Sequence, residues 1–298
     1  MCFYKNPLFK KVEQNLNKEN YQYKYNIHNN YIYMKKYCEP NNILLFDNNK
    51  PDSKSENVLH IKNFYWGPNQ LVIEMIEQFC ATNKYEKVLE IGPGKVPFKL
   101  ATEFIGSNET IKNYIDIDID KEKIPYDSNS FDFIFCRHVL EDIQNPDFAL
   151  QEIFRVAKFG GFMETPSPLI EITKDVDANN LSNMYCGYIH HRYIVWSNIQ
   201  KNEIYFLPKY SCILDHMLNI TDETKRHLYD LINTYPVYWN NYFLFRVKKP
   251  KVIMYKNGVN FNCKTNNHNM VDEYIQLVTR SINESIENTN YFITTYKH

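Results

Sequence analysis

The spacing of apolar residues predicts alternating helices and strands in the middle of the chain. Helical spacing begins after Pro68, which suits a first helical turn, and it continues through five apolar positions: Val72, Met75, Ile76, Phe79 and Cys80. Short apolar runs at residues 88–91, 111–119 and 131–136 are typical of strands. The pattern therefore predicts a helix followed by three strands.

A second helix is predicted to begin at Asn145-Pro146, where Asn suits the cap and Pro the first turn. Gly160-Gly161 is predicted to end this helix, and residues 162–165 to form the next strand, which stops at Pro166. Strands that alternate with helices favour a parallel sheet with right-handed crossovers. The predicted fold class is therefore α/β, a doubly wound and mostly parallel sheet.

The flanking segments follow other patterns. Residues 1–62 are predicted to be an extension of short strands and loops, and residues 63–255 the main domain. Within that domain, residues 188–197 and 203–208 predict an inserted hairpin at about 186–210, and residues 221–234 predict a helix. Residues 242–247 and 252–255 predict late strands, and residues 256–298 a C-terminal strand and helix. The apolar stripe of that last helix (Val271, Tyr274, Ile275, Val278 and Ile282) predicts either a docking surface or a homodimer face.

Composition narrows the function classes. Of the 298 residues 44% are hydrophobic and 23% charged, which is typical of a globular protein. A net charge of −1 predicts no nucleic-acid partner, and no apolar run is long enough to predict a membrane span. Seven Cys without paired spacing and no secretory signal predict a cytoplasmic protein with free thiols. The 24 Tyr and 19 Phe are typical of coding in an AT-rich genome.

A glycine turn after the first strand carries the candidate chemistry. Residues 87–94 read KVLEIGPG, so Glu90, Gly92, Pro93 and Gly94 lie where a parallel sheet binds ligands. The dinucleotide fingerprint would need a third glycine, but the chain continues Lys95-Val96-Pro97. The turn therefore favours an amine-bearing ligand over a pyrophosphate.

These residues resemble class I S-adenosylmethionine-dependent methyltransferases. Residues 90–94 resemble the E/D-x-G-x-G motif of that family, and residues 124–132, 133–141 and 154–161 resemble three later segments in the same order. The resemblance implies S-adenosylmethionine as cofactor, with Gly92 and Gly94 against its methionine part and Glu90 at its amino group. It also implies that Arg137 and His138, after the fourth strand, lie beside the methyl group. A turn cap is the other interpretation of His138.

Asp116 and Asp118 are the candidates for binding the cofactor's ribose or adenine. The family places its ribose acid at the end of the second strand, which residues 111–119 fit. If residues 101–106 form that strand instead, the two aspartates end the third strand, near the adenine. We favour Asp118, and both positions stay open at this stage.

A second cluster is predicted to meet the acceptor. Residues 164–210 resemble a subset of bacterial and viral-type methyltransferases that share ETPSP, GYxHHRxIVW and FxPKY stretches. Glu164, Tyr188 and Arg192 are predicted to bind substrate, and His191, His190 and His138 to be catalytic. Because neighbours on a strand point to opposite faces, one of His190 and His191 at most is expected to face the site, and no metal site is predicted.

The leading hypothesis is a methyltransferase acting on a hydroxyl of a small molecule, a glycan or a nucleotide sugar. A nicotinamide-dependent oxidoreductase and a non-catalytic protein on the cofactor fold are the alternatives. Asp175 and Asp177 suggest Mg²⁺ ligands, although a surface loop is the preferred interpretation. Trp66-Gly67 suggests a cover over the cofactor, although a packed aromatic is preferred.

Overall fold

A computed structural model describes residues 70–94, 96–106, 114–172, 186–210, 214, 239–255 and 268–296. The predicted N-terminal extension, Pro68, Trp66-Gly67, Asp175, Asp177 and the predicted helix at 221–234 lie outside the described residues. In chain order, the described elements are helix α1 (Gln70–Thr82), strands β1 (Val88–Ile91), β2 (Glu103–Gly106), β3 (Tyr114–Asp116) and β4 (Phe131–Arg137), helix α2 (Pro146–Val156), strand β5 (Ala157–Pro166), helix α3 (Pro168–Glu171), strands β6 (Tyr193–Asn198), β7 (Glu203–Pro208), β8 (Asn240–Phe245) and β9 (Lys251–Met254), and helix α4 (His268–Tyr296).

The larger sheet has the strand order β3-β2-β1-β4-β5-β8. Its first five strands pair in parallel, and β8 is antiparallel to β5. A second sheet has the order β6-β7-β9, in which β6 and β7 form the predicted hairpin and β9 pairs in parallel with β7. The predicted fold class, a doubly wound and mostly parallel α/β sheet, is confirmed.

Alternate residues of β4 face the two sides of the large sheet. Phe133 and Phe135 pack in one apolar cluster with α1 and α4, whereas Ile134 and Cys136 pack in another with α2. Both faces of the sheet are therefore covered, as burial of a parallel sheet requires. Every residue of β1 is also buried.

Helix α4 docks on its own chain. Tyr274, Val278 and Ile282 are buried in the cluster that also contains α1, which confirms the docking interpretation of that stripe. The side chains of Val271 and Ile275 lie outside what the structure describes. None of the described helices has the length and hydropathy needed to cross a membrane.

The prediction that Gly160-Gly161 ends α2 is wrong. The helix ends at Val156, and both glycines lie inside β5. Their backbone meets β8 closely: a Cβ on Gly160 would lie 2.2 Å from the carbonyl oxygen of Phe245. Glycine therefore permits strand pairing here.

Two other predicted boundaries also differ. The second strand is β2, so the 111–119 run supplies the third strand and the alternative order of the sequence analysis holds. Strand β6 begins at Tyr193, so residues 188–192 form a turn before the hairpin. The premise that His190 and His191 point to opposite faces of a strand is therefore wrong.

Candidate active site

The candidate site lies at the carboxyl ends of β1 and β4. These two strands are neighbours in the sheet, with Ile91 opposite Cys136, although β2 and β3 lie between them in the chain. After β1 the chain forms β2 and β3 on one flank of this pair, and after β4 it forms β5 on the other flank. This is the switch point of a doubly wound sheet, where a crevice for ligands opens.

Gly92 makes the tight turn that ends β1. Its φ is +66°, in the left-handed region, and its N–H donates to the carbonyl oxygen of Ile105 at 2.8 Å. A Cβ on Gly92 would lie 2.3 Å from Cγ2 of Val139. Around a Cβ built on Gly94, by contrast, no atom of the described residues beyond its chain neighbours lies within 4 Å. Gly92 is thus required by the turn, whereas Gly94 borders open space.

Glu90 is buried beneath this turn. One carboxylate oxygen accepts the N–H of Phe98 at 2.7 Å, and the other lies 3.7 Å from Nη2 of Arg137 without a hydrogen-bond partner in the described structure. Burial raises the pKa of Glu90, and the Phe98 N–H and Arg137 oppose the rise. The Glu90 carboxylate therefore keeps one oxygen available to a donor.

Arg137 ends β4 and lies beside Glu90. Its Nη2 donates to the carbonyl oxygen of Val96 at 3.0 Å, and its guanidinium carbon lies 5.4 Å from the centre of the Phe135 ring. Its buried Nε has no hydrogen-bond partner in the described residues. Phe98 stacks on Phe135 at 4.0 Å, which holds the abbreviated loop after β1 against the sheet.

Asp116 and Asp118 lie at and just beyond the end of β3, two strands from β1. Both are exposed. Asp116 accepts the hydroxyl of Tyr114 at 3.3 Å, and Asp118 pairs with Lys121 at 2.6 Å. The hydrogen bond from Lys121 lowers the pKa of Asp118. Since strands lie about 4.8 Å apart, the end of β3 at Asp116 is roughly 10 Å from the end of β1.

His138 follows β4 in the left-handed conformation, with φ +49°. Its Nδ1 lies 3.3 Å from Glu141 and its Nε2 3.5 Å from Glu164, and both carboxylates are buried. Burial alone would lower the pKa of His138, but the two carboxylates outweigh it and raise the pKa to about 9. At neutral pH the ring is therefore a cation held between two acids.

We expect the contribution of His138 to the stability of the fold to depend on pH. A raised pKa means that the imidazolium stabilises the fold fully below pH 6.5 and stops doing so as pH rises through about 9. In His138→Asn, whose side chain tolerates the left-handed backbone, that contribution is absent. The gap in thermal midpoint between wild type and variant should therefore shrink between pH 6.5 and 9; a constant gap would contradict the assignment.

The turn at residues 188–192 brings three side chains together over the end of β4. Nε2 of His190 and Nε2 of His191 each lie 4.0 Å from Oδ1 of Asp142. His191 is buried, and its Nδ1 meets Glu171 at 2.5 Å, while His190 is half exposed. Burial by itself lowers the pKa of His191, and Glu171 raises it overall.

Tyr188 and Arg192 hold this turn in place. The carbonyl oxygen of Tyr188 accepts Nζ of Lys209 at 2.6 Å, and its ring lies 4.6 Å from that of His191. Arg192 is exposed; its N–H donates to the carbonyl oxygen of Glu141 at 2.8 Å and its Nε to that of Asp142 at 2.9 Å. Glu164 accepts a hydrogen bond from Asn240 and keeps its other oxygen unpartnered among the described residues.

Sequence reasoning missed four charged residues of the site: Glu141, Asp142, Glu171 and Lys209. Glu171 is fully buried between His191 and Lys209, whose side chain is fully buried as well. A signal was present, because Glu171 interrupts the apolar run Leu-Ile-Glu-Ile and Glu141-Asp142 directly follow a strand and turn. Burial of a charge without a partner is costly, so each of these positions indicated an unseen partner.

Residues 76–164 match the family model described as a methyltransferase domain. The match covers less than a third of the chain and shows that this segment is similar to methyltransferase domains. The matched residues run from α1 to the end of β5 and include the glycine turn, Arg137 and His138. The strand order of the larger sheet agrees with the fold class that the sequence resemblance implied. No curated protein matches the chain.

Solved methyltransferases resemble the domain at low identity. A possible histamine N-methyltransferase from Thermotoga maritima is 21% identical over 32% of this chain and 50% of its own, with a TM-score of 0.26. A methyltransferase from Aquifex aeolicus is 20% identical over 36% of this chain and 72% of its own, with a TM-score of 0.25. The plantazolicin methyltransferase BpumL, solved with S-adenosylhomocysteine, is 16% identical over 53% of this chain and 69% of its own, with a TM-score of 0.33. In the first three matching structures the chain spans 43–50% of their length, and the family model carries the identification.

Proposed function

We propose that the chain transfers the methyl group of S-adenosylmethionine to a hydroxyl of a small molecule or a glycan, such as a nucleotide sugar. The observation that carries the proposal is the buried pair of Glu90 and Arg137 beside the Gly92 turn, inside the segment that matches the methyltransferase model. The same match does not favour a nicotinamide-dependent oxidoreductase.

Glu90 and Arg137 together suit the amino-acid end of the cofactor. The open oxygen of Glu90 accepts from an ammonium group, and the unpartnered Nε of Arg137 donates to a carboxylate. An α-amino acid carries both groups on one carbon, and these two side chains are 3.7 Å apart. The buried polar atoms that lack partners are thus complementary to the methionine part of S-adenosylmethionine.

The acceptor is assigned to the next part of the same edge. Backbone and side-chain contacts run from Arg137 through His138 to Glu141 and Glu164, and from Asp142 to the turn at 188–192. Methyl transfer is an in-line displacement, so positioning is the main task, and a hydroxyl nucleophile benefits from a base. Because His138 is cationic at neutral pH, we assign proton acceptance to the His190–His191 turn and charge stabilisation to His138.

Calorimetric titration tests the cofactor. We expect S-adenosylhomocysteine to bind the full chain at one site and NAD to give no heat, because the turn lacks the third glycine that a pyrophosphate needs. A folded sample that binds NAD, or that binds neither compound, would refute the proposal. Binding of S-adenosylhomocysteine without any turnover would instead support the non-catalytic alternative.

The acceptor class in this proposal is tested by incubating the protein with methyl-labelled S-adenosylmethionine and a panel of nucleotide sugars, small alcohols, DNA and RNA. Label is expected in the hydroxyl compounds, and label in nucleic acid alone would contradict this assignment. For an acceptor found this way, His190→Ala should lower turnover without changing the affinity for S-adenosylhomocysteine. His190 is the suitable position because it is half exposed, whereas His191 is part of a buried ion network.

A further inference from the structure

The turn at residues 188–192 places three metal-ligand atoms at one point. Oδ1 of Asp142 and Nε2 of His190 and His191 all lie within 4.8 Å of one another. The aspartate oxygen is 4.0 Å from each nitrogen. In a tetrahedral zinc site, bonds of about 2.1 Å put neighbouring ligand atoms roughly 3.4 Å apart. Each Asp–His distance therefore has to shorten by about 0.6 Å, and the His–His distance by at most about 1.4 Å, to surround an ion.

His191 is already oriented as metal-binding histidines are. Its Nδ1 meets the buried carboxylate of Glu171 at 2.5 Å, and Glu171 is fixed from its other side by Lys209 at 2.5 Å. A carboxylate on one ring nitrogen selects the tautomer that leaves the lone pair on the other, and it increases the basicity of that nitrogen. The other nitrogen of His191 is the one directed at Asp142.

Asp142 supplies a second, independent indication. Its Oδ1 is buried and has no hydrogen-bond partner among the residues that the structure describes. The carboxylates of Glu141 and Glu171 are close enough to act on it electrostatically. A divalent cation would stabilise the three neighbouring carboxylates. It would also provide a partner for the buried oxygen of Asp142.

We propose that Asp142, His190 and His191 form a binding site for a zinc-type divalent ion. Two imidazoles and one carboxylate favour Zn²⁺ or a similar transition metal over Mg²⁺ and Ca²⁺, which prefer oxygen ligands. Three protein ligands leave a fourth position for water or for an acceptor oxygen. With the ion bound, the two histidines are ligands and not proton acceptors, and the ion acidifies the acceptor hydroxyl instead. This catalytic role rests on the proposed function, whereas binding of the ion does not.

Titration of the chain with zinc chloride tests the site. The sample carries no histidine tag, has been stripped by a chelator and contains no S-adenosylmethionine. We expect one ion per chain, and a 10- to 100-fold weaker affinity in Asp142→Asn, which keeps the shape of the side chain. Asp147→Asn, in the first turn of α2, is the matched control and should bind as the wild type does.

Cobalt(II) shows which atoms bind the ion. Its visible spectrum should be that of nitrogen and oxygen ligands and should be lost in Asp142→Asn. Absence of binding, an unchanged affinity in Asp142→Asn, or a thiolate charge-transfer band from cysteine ligands would each overturn the proposal. S-adenosylhomocysteine binding is measured on the same sample. If the cofactor product binds and zinc does not, the metal site is wrong; if zinc binds and the cofactor product does not, the proposed function is wrong.

Discussion

Gly94→Val is expected to weaken binding of S-adenosylhomocysteine strongly and to leave the thermal midpoint of the protein unchanged. Apart from its chain neighbours, no described residue has an atom within 4 Å of a Cβ at Gly94, and its backbone is outside the left-handed region, so the described fold accommodates the larger side chain. The isopropyl group then fills the space above the turn that the cofactor needs. We expect an affinity loss of about 100-fold, or about 2.7 kcal/mol, measured by calorimetry.

Gly92 provides the contrast for this experiment. With φ +66° and Val139 at 2.3 Å from the added carbon, Gly92→Ala should lower the thermal midpoint itself. The left-handed conformation alone costs about 1–2 kcal/mol for alanine. If Gly94→Val keeps wild-type affinity, the cofactor does not lie on this turn; if it unfolds the protein, the space beside Gly94 is not free.

Lys209→Met is expected to be strongly destabilising. The Lys209 side chain is fully buried, and its Nζ donates to Glu171 at 2.5 Å and to the carbonyl oxygen of Tyr188 at 2.6 Å. Methionine keeps the volume but leaves Glu171 a buried charge with His191 as its remaining partner. Breaking one side of a buried ion pair costs about 3–5 kcal/mol in the free energy of unfolding, which urea denaturation measures.

Lys251→Met is the matched control for that experiment. The Lys251 side chain is 72% exposed and lies 3.9 Å from Glu203, so its loss should cost less than about 1 kcal/mol. Equal losses in the two variants would contradict the role of the Glu171 network.

The buried network of Glu171, Lys209 and His191 also makes the stability of the fold sensitive to acid. Burial by itself raises the pKa of Glu171, but Lys209 and His191 outweigh burial and lower the pKa to about 2. A depressed pKa means that the carboxylate stabilises the fold fully above pH 4.5 and loses this effect as pH falls toward 2. In Lys209→Met the acid-sensitive window should therefore move to higher pH.

The parts of the fold that follow from local sequence were predictable. Strand β1 is a short run of four buried residues, three of them apolar. Helix α1 repeats its apolar positions at helical spacing. Both patterns indicate one type of element each. Gly160-Gly161 misled the prediction because glycine both ends helices and admits a close neighbouring backbone. Only the position of β8, some 80 residues later, decides between them.

The site was predictable only in part for a similar reason. Glycines and Glu90 are next to one another in the chain, so their joint role was visible from the sequence. His190 and His191 have strand-like neighbours, but the carbonyl oxygen of Glu141 binds the N–H groups of Arg192 and Tyr193 and holds the preceding residues as a turn. Likewise, Glu171 and Lys209 meet across 38 residues, and no local pattern specifies such a pairing.

That attachment through the carbonyl oxygen of Glu141 has an evolutionary consequence. Main-chain groups make the bond on both sides, so it does not depend on which side chains occupy residues 188–193. Mutations in the turn can alter the chemistry presented above β4 while the turn stays fastened to the strand that borders the cofactor crevice. Within the turn, the exposed side chains of Ile189 and His190 can change without loosening this bond, whereas buried His191 and the glycine turn after β1 are constrained.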